Sequence, residues 1–412
     1  MNPHWHRSRH AYPLAALPAE ADLVVIGGGI VGCSLALGLA EAGLRPLLLE
    51  RRWIADGASG RNGGLLLPGT SEPFGDLARR WGEAAAAELW RASEDGARRL
   101  VARIESLEAA GLDCGWRAEG GLHAALSPEE AADLRADAAG LSALGLSARW
   151  LDRTELAGWS DLRLPPDIEG ALLLPGGGCL HSGRLVTALA AAAVRAGAQI
   201  VEGANVERID DGATLHLQTS AGSLSAGAVL VAGNAWTPQL LPELAPALKP
   251  IRGQMLATTP RAPRRIRGGW SLNRGYEYLQ QRPDGRVLVG GMRWTAPDRE
   301  EGLTDALPEP GIQGRLEAWL AASWPDLAAR AEPAMPTIEA RWAGIMAWTP
   351  DRLPLIGAVP GRPGIWLACG FSGHGLPFAP LAAEILLAGL QGRAPAPSSH
   401  AFDPGRFVGG RS

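Results

Sequence analysis

The chain has a single lysine, Lys249, three tyrosines and four cysteines in 412 residues. With so much Ala, Gly, Pro and Arg, the shortage of lysine reads as a composition bias and carries no function. Cys33, Cys114, Cys179 and Cys369 are far apart, with no C-x-x-C and no Cys/His cluster, which argues against a zinc site. Cys33 falls in a helical pattern and Cys369 in an apolar run, the places of small buried hydrophobes. No long basic tract occurs and the net charge is −4, so nucleic acid is not an expected partner. No window of about 18 apolar residues is free of Gly, Pro and charge, so no membrane span is expected. Residues 1–18 hold no continuous apolar core of signal-peptide length. The expected location is cytoplasmic, with reduced thiols. His4, His6 and His10 stand in a Pro-containing arm without ligand geometry, so no metal is expected. No internal repeat of fixed period is found.

What is present is organised around Asp22 to Glu50. Leu23 to Ile26 is a short apolar run, read as a buried strand. Gly27-Gly28-Gly29-Ile30-Val31-Gly32 follows and matches G-x-G-x-x-G. A helical pattern then runs from Ile30 to Glu41, Gly43 ends it, and Leu47 to Glu50 forms a second strand. Gly27 allows the tight turn, Gly29 lets a pyrophosphate approach the backbone, and Gly32 lets the helix pack close to the sheet. The helix N-terminus offers free N–H groups to phosphates. Glu50 can accept hydrogen bonds from a ribose diol. This arrangement predicts an adenine dinucleotide site.

Gly57 to Gly64 is a second Gly- and Ser-rich loop, suited to backbone wrapped around a ligand, with Arg61 and Asn62 as expected polar contacts. Helices are expected over Gly82–Ala110, after Ser127-Pro128, over Gly183–Ala196 and over Pro310–Ala321; Trp159 to Pro175 reads as loop. Strands are expected at Gln199–Glu202, Val206–Ile209, Thr214–Gln218 and Ala228–Gly233, the last leading to Asn234-Ala235-Trp236. Ile251–Thr258, Tyr276–Gln281 and Val287–Gly291 alternate with turns and predict an antiparallel sheet. The chain then repeats its opening logic: strand Ile365–Cys369, the loop Gly370–Gly375, and a helix from Pro377 to Leu390.

Together these motifs resemble the FAD-dependent amine and amino-acid oxidase family of D-amino-acid, glycine and sarcosine oxidases. The resemblance is carried by the Gly27–Gly32 motif with Glu50, the Gly57–Gly64 loop, GCLHSGRLVTAL from Gly178, VLVAGNAW from Val229, KPIRGQML from Lys249, RWAGIMAWTPDRLPLIG from Arg341 and GFSGHGLPFAP from Gly370. The chain's Trp- and Pro-containing arm and its GASGRNGG stretch resemble the γ-glutamylputrescine oxidoreductase branch. The resemblance implies an α/β fold (α+β overall), with a Rossmann-like FAD-binding domain and a substrate domain built on an antiparallel sheet. Residues 1–20 form an arm; 20–75, 176–236 and 335–392 the FAD domain; 76–175 and 237–334 the substrate domain; and 393–412 a tail.

It implies oxidation of a C–N bond of an amine or N-substituted amino acid to an imine, with O2 as acceptor giving H2O2. The alternative is a dehydrogenase, or a flavoprotein subunit using another acceptor or a partner. The implied cofactor set is Gly27, Gly29, Ile30, Val31, Gly32, Glu50, Arg51, Ala58, Ser59, Arg61, Asn62, Gly63, Gly64, Leu65, Val206, Gly233, Trp236, Gly373, His374, Gly375 and Leu376. The loop at His374 is implied to sit at the flavin, where the helix dipole favours negative charge. Tyr276 and Tyr278, two apart, share a strand face and line the pocket or pack the sheet. Trp342 and Trp348 form an aromatic wall or belong to the core. Arg293 is a candidate carboxylate partner and Glu277 a candidate for an ammonium group. Met346 stands where relatives carry a substrate-binding Arg or a flavin-linked Cys, so the FAD is expected to be non-covalent. Those oxidases also place a Lys near the flavin, and Lys249 does not fall in the matching region. The expected substrate is an amine, or an amino acid whose carboxylate is held differently, with longer amines favoured.

Overall fold

The structure, a computed structural model, describes Tyr12 and residues 16–260, 263–328, 337–393 and 397–408. His4, His6 and His10, most of the N-terminal arm and part of the C-terminal tail lie outside the described residues. Two eight-stranded sheets carry the fold. In the first, Gln199–Glu202, Leu47–Glu50, Glu20–Ile26, Gly222–Val231 and Ile365–Cys369 lie side by side and parallel, and Leu355–Ala358 closes the edge antiparallel. At the centre of this sheet Val24–Ile26, Leu47–Leu49 and Val229–Val231 are wholly apolar and buried, because both faces are covered there. One face packs on the helices Ile30–Glu41, Ser182–Arg195 and Gly375–Leu390, the last crossed by Glu83–Ala109. The other face meets the antiparallel strands Val206–Asp210 and Leu215–Thr219 and the segment after Val231.

Close helix packing depends on glycine. A Cβ on Gly32 would sit 1.9 Å from the Gly27 carbonyl oxygen, and one on Gly96 would sit 1.9 Å from that of Pro377. Gly27 itself has φ +112°, a conformation only glycine adopts freely.

The second sheet runs Ile338–Trp348, Lys249–Thr258, Val287–Gly291, Glu277–Gln281, Gly269–Leu272, Gly121–Ala125, Gly170–Leu174, Arg149–Asp152. All neighbours are antiparallel except Gly269–Leu272 beside Gly121–Ala125. One face covers a core with Trp270 and Trp324 in edge contact and the helix Pro310–Ser323 against it. On the other face, register aligns Leu172, His123, Ser271, Tyr278, Gly290, Met255 and Trp342 in one row across the strands.

Three expectations are corrected here. Gly170–Leu174, read as loop, is a fully buried strand. Ile338–Trp348, grouped with the dinucleotide unit, pairs along its length with Lys249–Thr258 in the second sheet. Glu83–Ala109, grouped with the substrate unit, packs on the helix Gly375–Leu390 of the first.

Candidate functional site

A continuous cavity of about 650 Å³ lies between the two sheets. At one end the chain turns from Ile26 into the helix Ile30–Glu41 through Gly27, Gly28 and Gly29. Gly29 occupies the N-cap and offers no side chain, and Ser59 Oγ accepts from the Ile30 N–H at 3.0 Å. Ile30 and Val31 line the wall with Ala58, Ser59, Gly63 and Leu65 from the second loop. Glu50 lies at the end of its strand. Its carboxylate accepts from the N–H groups of Gly28 at 2.7 Å and Arg52 at 2.8 Å, while burial pushes its pKa up. Arg51 stacks on the ring of Trp236, 3.9 Å from the centroid, and Val206 and Gly233 complete this end.

At the other end, Gly373, His374, Gly375 and Leu376 line the cavity, and the helix Gly375–Leu390 starts there without a side-chain cap. Ser372 pins this loop: its N–H donates to the Ala347 carbonyl oxygen at 2.9 Å. His374 Nδ1 is buried without a hydrogen-bond partner. Tyr278, Met346, Trp348, Tyr276 and Arg293 face it from the second sheet and its connecting loops. The Tyr278 ring fits because Gly290 has no Cβ; one there would lie 2.4 Å from the ring. Burial pushes the Tyr278 phenol up to about 12, so it stays protonated.

Two helix N-termini and a glycine cradle open on one cavity. That is the donor set a dinucleotide carrying a redox ring requires: N–H groups for the pyrophosphate, a carboxylate for the ribose and a dipole end for the ring.

Some expected contacts are otherwise engaged. The Arg61 guanidinium is ion-paired to Asp56 at 2.8 Å and donates to the Ala343 carbonyl at 3.2 Å. Asn62 donates to the carbonyls of Ala58 and Ser59 and accepts from the Gly64 N–H. Both side chains hold the loop together instead of reaching for a ligand. Gly32 and Gly64 sit behind the lining, Gly64 accepting from Gln280 Nε2 at 3.1 Å. Trp342 is not part of the wall. It shares a strand face with Met346 and Trp348, but the Gly57–Gly64 loop covers it, and its Nε1 donates to the Arg61 carbonyl oxygen at 2.8 Å. Tyr276 precedes its strand, in helical conformation, so its place at the cavity does not come from strand alternation. Glu277 is buried outside the lining and accepts from Trp294 Nε1 at 2.6 Å.

His123, not singled out in the sequence, lines the cavity from the strand Gly121–Ala125. The only local signal is its polarity within an apolar run. Burial holds both His123 and His374 down to about 4, and the charge of His374 adds to the effect on His123. Unfolded, both take protons near pH 6.5. Their contribution to stability is therefore complete above that pH and is lost as pH falls towards 4. The melting temperature is expected to fall between about pH 7 and about pH 5, and to fall less in His123→Gln. Identical pH profiles for parent and variant would contradict this assignment.

Among the described residues no helix is long and apolar enough to cross a membrane, and no group of three or more His, Cys, Asp or Glu could hold a metal. Residues 22–388 match the family described as FAD dependent oxidoreductase, DAO. The chain is 28% identical over 374 residues to the glycine oxidase of Geobacillus kaustophilus (strain HTA426), covering 87% of this chain and 90% of that protein. It is 29% identical over 385 residues to the gamma-glutamylputrescine oxidoreductase of Escherichia coli (strain K12), covering 90% of this chain and 84% of that protein. The crystal structure of the Geobacillus kaustophilus glycine oxidase superposes with a TM-score of 0.80 at 25% identity, over 95% of this chain and all of that one. The chain thus belongs to the FAD dependent oxidoreductase family, and FAD is its cofactor.

Proposed function

We propose that this protein oxidises the C–N bond of an amine or amino acid to an imine and passes the electrons to O2, giving H2O2. The observation that carries the reading is the pair of ends joined by one cavity. A cradle of Gly27 to Val31 and Glu50 faces a second chamber of His374, Tyr278, Met346 and Trp348. When bound, FAD supplies a two-electron acceptor for the hydride that leaves the carbon of the C–N bond.

The protein supplies the setting. The first helix N-terminus and Glu50 hold the dinucleotide. The start of the helix Gly375–Leu390 favours negative charge at the redox ring. Trp348, Met346 and Tyr278 exclude water from the reacting carbon. Walls that keep His123 and His374 uncharged also disfavour an ammonium, so the amine reacts as the neutral base.

None of the four cysteines lines the cavity, which supports a non-covalent FAD. Acid precipitation of the yellow protein is expected to leave intact FAD in the supernatant, and turnover in air to yield one H2O2 per imine. Flavin retained in the pellet would refute the non-covalent assignment. A second reading, a dehydrogenase, is favoured by Lys249: it is ion-paired to Glu301 at 2.9 Å and no lysine lines the cavity. Turnover that needs an added dye and gives no peroxide would select it.

A further inference from the structure

We propose that Arg293 is the anion anchor of the catalytic chamber, and that the substrate is an amine carrying a carboxylate. This rests on the reading of the cavity as a site of C–N oxidation. Five arginines line the cavity: Arg51, Arg61, Arg274, Arg293 and Arg352. Three have carboxylate partners: Arg61 with Asp56 at 2.8 Å, Arg274 with Asp133 at 2.8 Å and Arg352 with Glu72 at 3.5 Å. Arg51 is stacked on Trp236 at the dinucleotide end.

Arg293 has no carboxylate or hydrogen-bond partner among the described residues. Its guanidinium carbon lies 5.0 Å from the ring centroid of Tyr276 and 5.1 Å from that of Trp348. Two aromatic faces hold a planar fork without consuming its N–H groups. Arg293 belongs to the flavin-ring end, because Cζ2 of the Trp348 ring it packs against is 3.9 Å from the place a Cβ would take on Gly373. Glu277, paired across the sheet with Gly291, accepts from Trp294 Nε1.

A half-buried guanidinium with two desolvated neighbours gains most from a planar anion that it can grip through two N–H groups. Met346 cannot provide that grip from the strand Ile338–Trp348. Arg293 reaches the same chamber from the loop after Val287–Gly291, turned inward by the left-handed Met292 at φ 61°.

The test uses the FAD-loaded protein and matched pairs, L- and D-proline against pyrrolidine and sarcosine against dimethylamine, with anaerobic flavin reduction as readout. The carboxylate member is expected to half-saturate at far lower concentration. Arg293→Met should raise that concentration roughly 10- to 100-fold, with a smaller change in limiting rate, and Arg293→Lys should fall between. Equal reduction by both members of each pair would overturn the anchor while leaving C–N oxidation standing. Reduction by none of the compounds would count against the proposed function, and the anchor is then read by binding alone. Acetate and benzoate should perturb the flavin spectrum, acetamide and benzamide should not, and Arg293→Met should weaken the carboxylates by a similar factor at unchanged flavin content. Carboxylates that leave the spectrum unchanged, or that bind the variant as tightly as the parent, would overturn the proposal.

Discussion

Replacing Gly32 with valine is expected to yield colourless protein and to lower the free energy of unfolding by roughly 3 kcal/mol or more. A Cβ at this position would lie 1.9 Å from the Gly27 carbonyl oxygen and 3.5 Å from a methyl of Val25. The first obstacle is backbone and cannot rotate away. Gly27 is fixed by its own bond, N–H to the Leu49 carbonyl at 2.8 Å, and by its φ of +112°. The helix Ile30–Glu41 must therefore lift off the sheet. Its buried face, including Ile30, Val31, Leu35 and Leu39, loses packing, and its N-terminus leaves the cavity. Overpacked cores usually cost about 1–3 kcal/mol, and a clash with main chain stands at the upper end. The flavin-to-protein ratio and denaturant unfolding measure the two effects. Gly38→Ala in the same helix is the control, since a Cβ there meets nothing within 4 Å. A yellow Gly32→Val protein of parental stability would contradict the assigned role.

The parts of the fold that could be read from sequence are those where a local mechanical demand leaves a local trace. Gly27 and Gly32 are such cases: Gly27 turns the chain at φ +112°, and a Cβ on Gly32 would meet the Gly27 carbonyl oxygen. The start of the helix near Gly375 is another, and its residues line the cavity. What sequence concealed was set by distant partners. Gly170–Leu174 sits among Pro and Gly and has no alternation, because all five residues are buried; it pairs with Gly121–Ala125 on one edge and Arg149–Asp152 on the other. The place of Ile338–Trp348 is decided by its pairing with Lys249–Thr258, which no local pattern encodes. Trp342 and Trp348 are equivalent by strand periodicity, and only the Arg61 carbonyl, which accepts from Trp342 Nε1, separates core from wall. Arg61 and Asn62 are polar residues in a glycine loop, where bonds to nearby backbone compete with bonds to a ligand.

The same contacts explain how the two sheets share one cavity. Gln280 donates to the carbonyls of Gly63 and Gly64, and Trp342 to that of Arg61. The loop that borders the dinucleotide end is thus fastened to the sheet that forms the catalytic chamber. The two Gln280 bonds are buried, so the loop cannot leave without stranding polar groups, which costs about 1–3 kcal/mol apiece.

The most direct measurement is the flavin spectrum on anaerobic mixing with amines and amino acids, each compared with the corresponding alcohol or hydroxy acid. Burial holds His374 as the neutral imidazole, and a neutral amine, unlike an alcohol, carries a lone pair basic enough to assist loss of hydride without a separate proton acceptor. Complete bleaching of the oxidised flavin band by at least one compound with a C–N bond, with none by its oxygen counterpart, is the expected result. Bleaching by the hydroxy compound alone, or by neither while a reduced nicotinamide bleaches the flavin, would contradict C–N oxidation at this site.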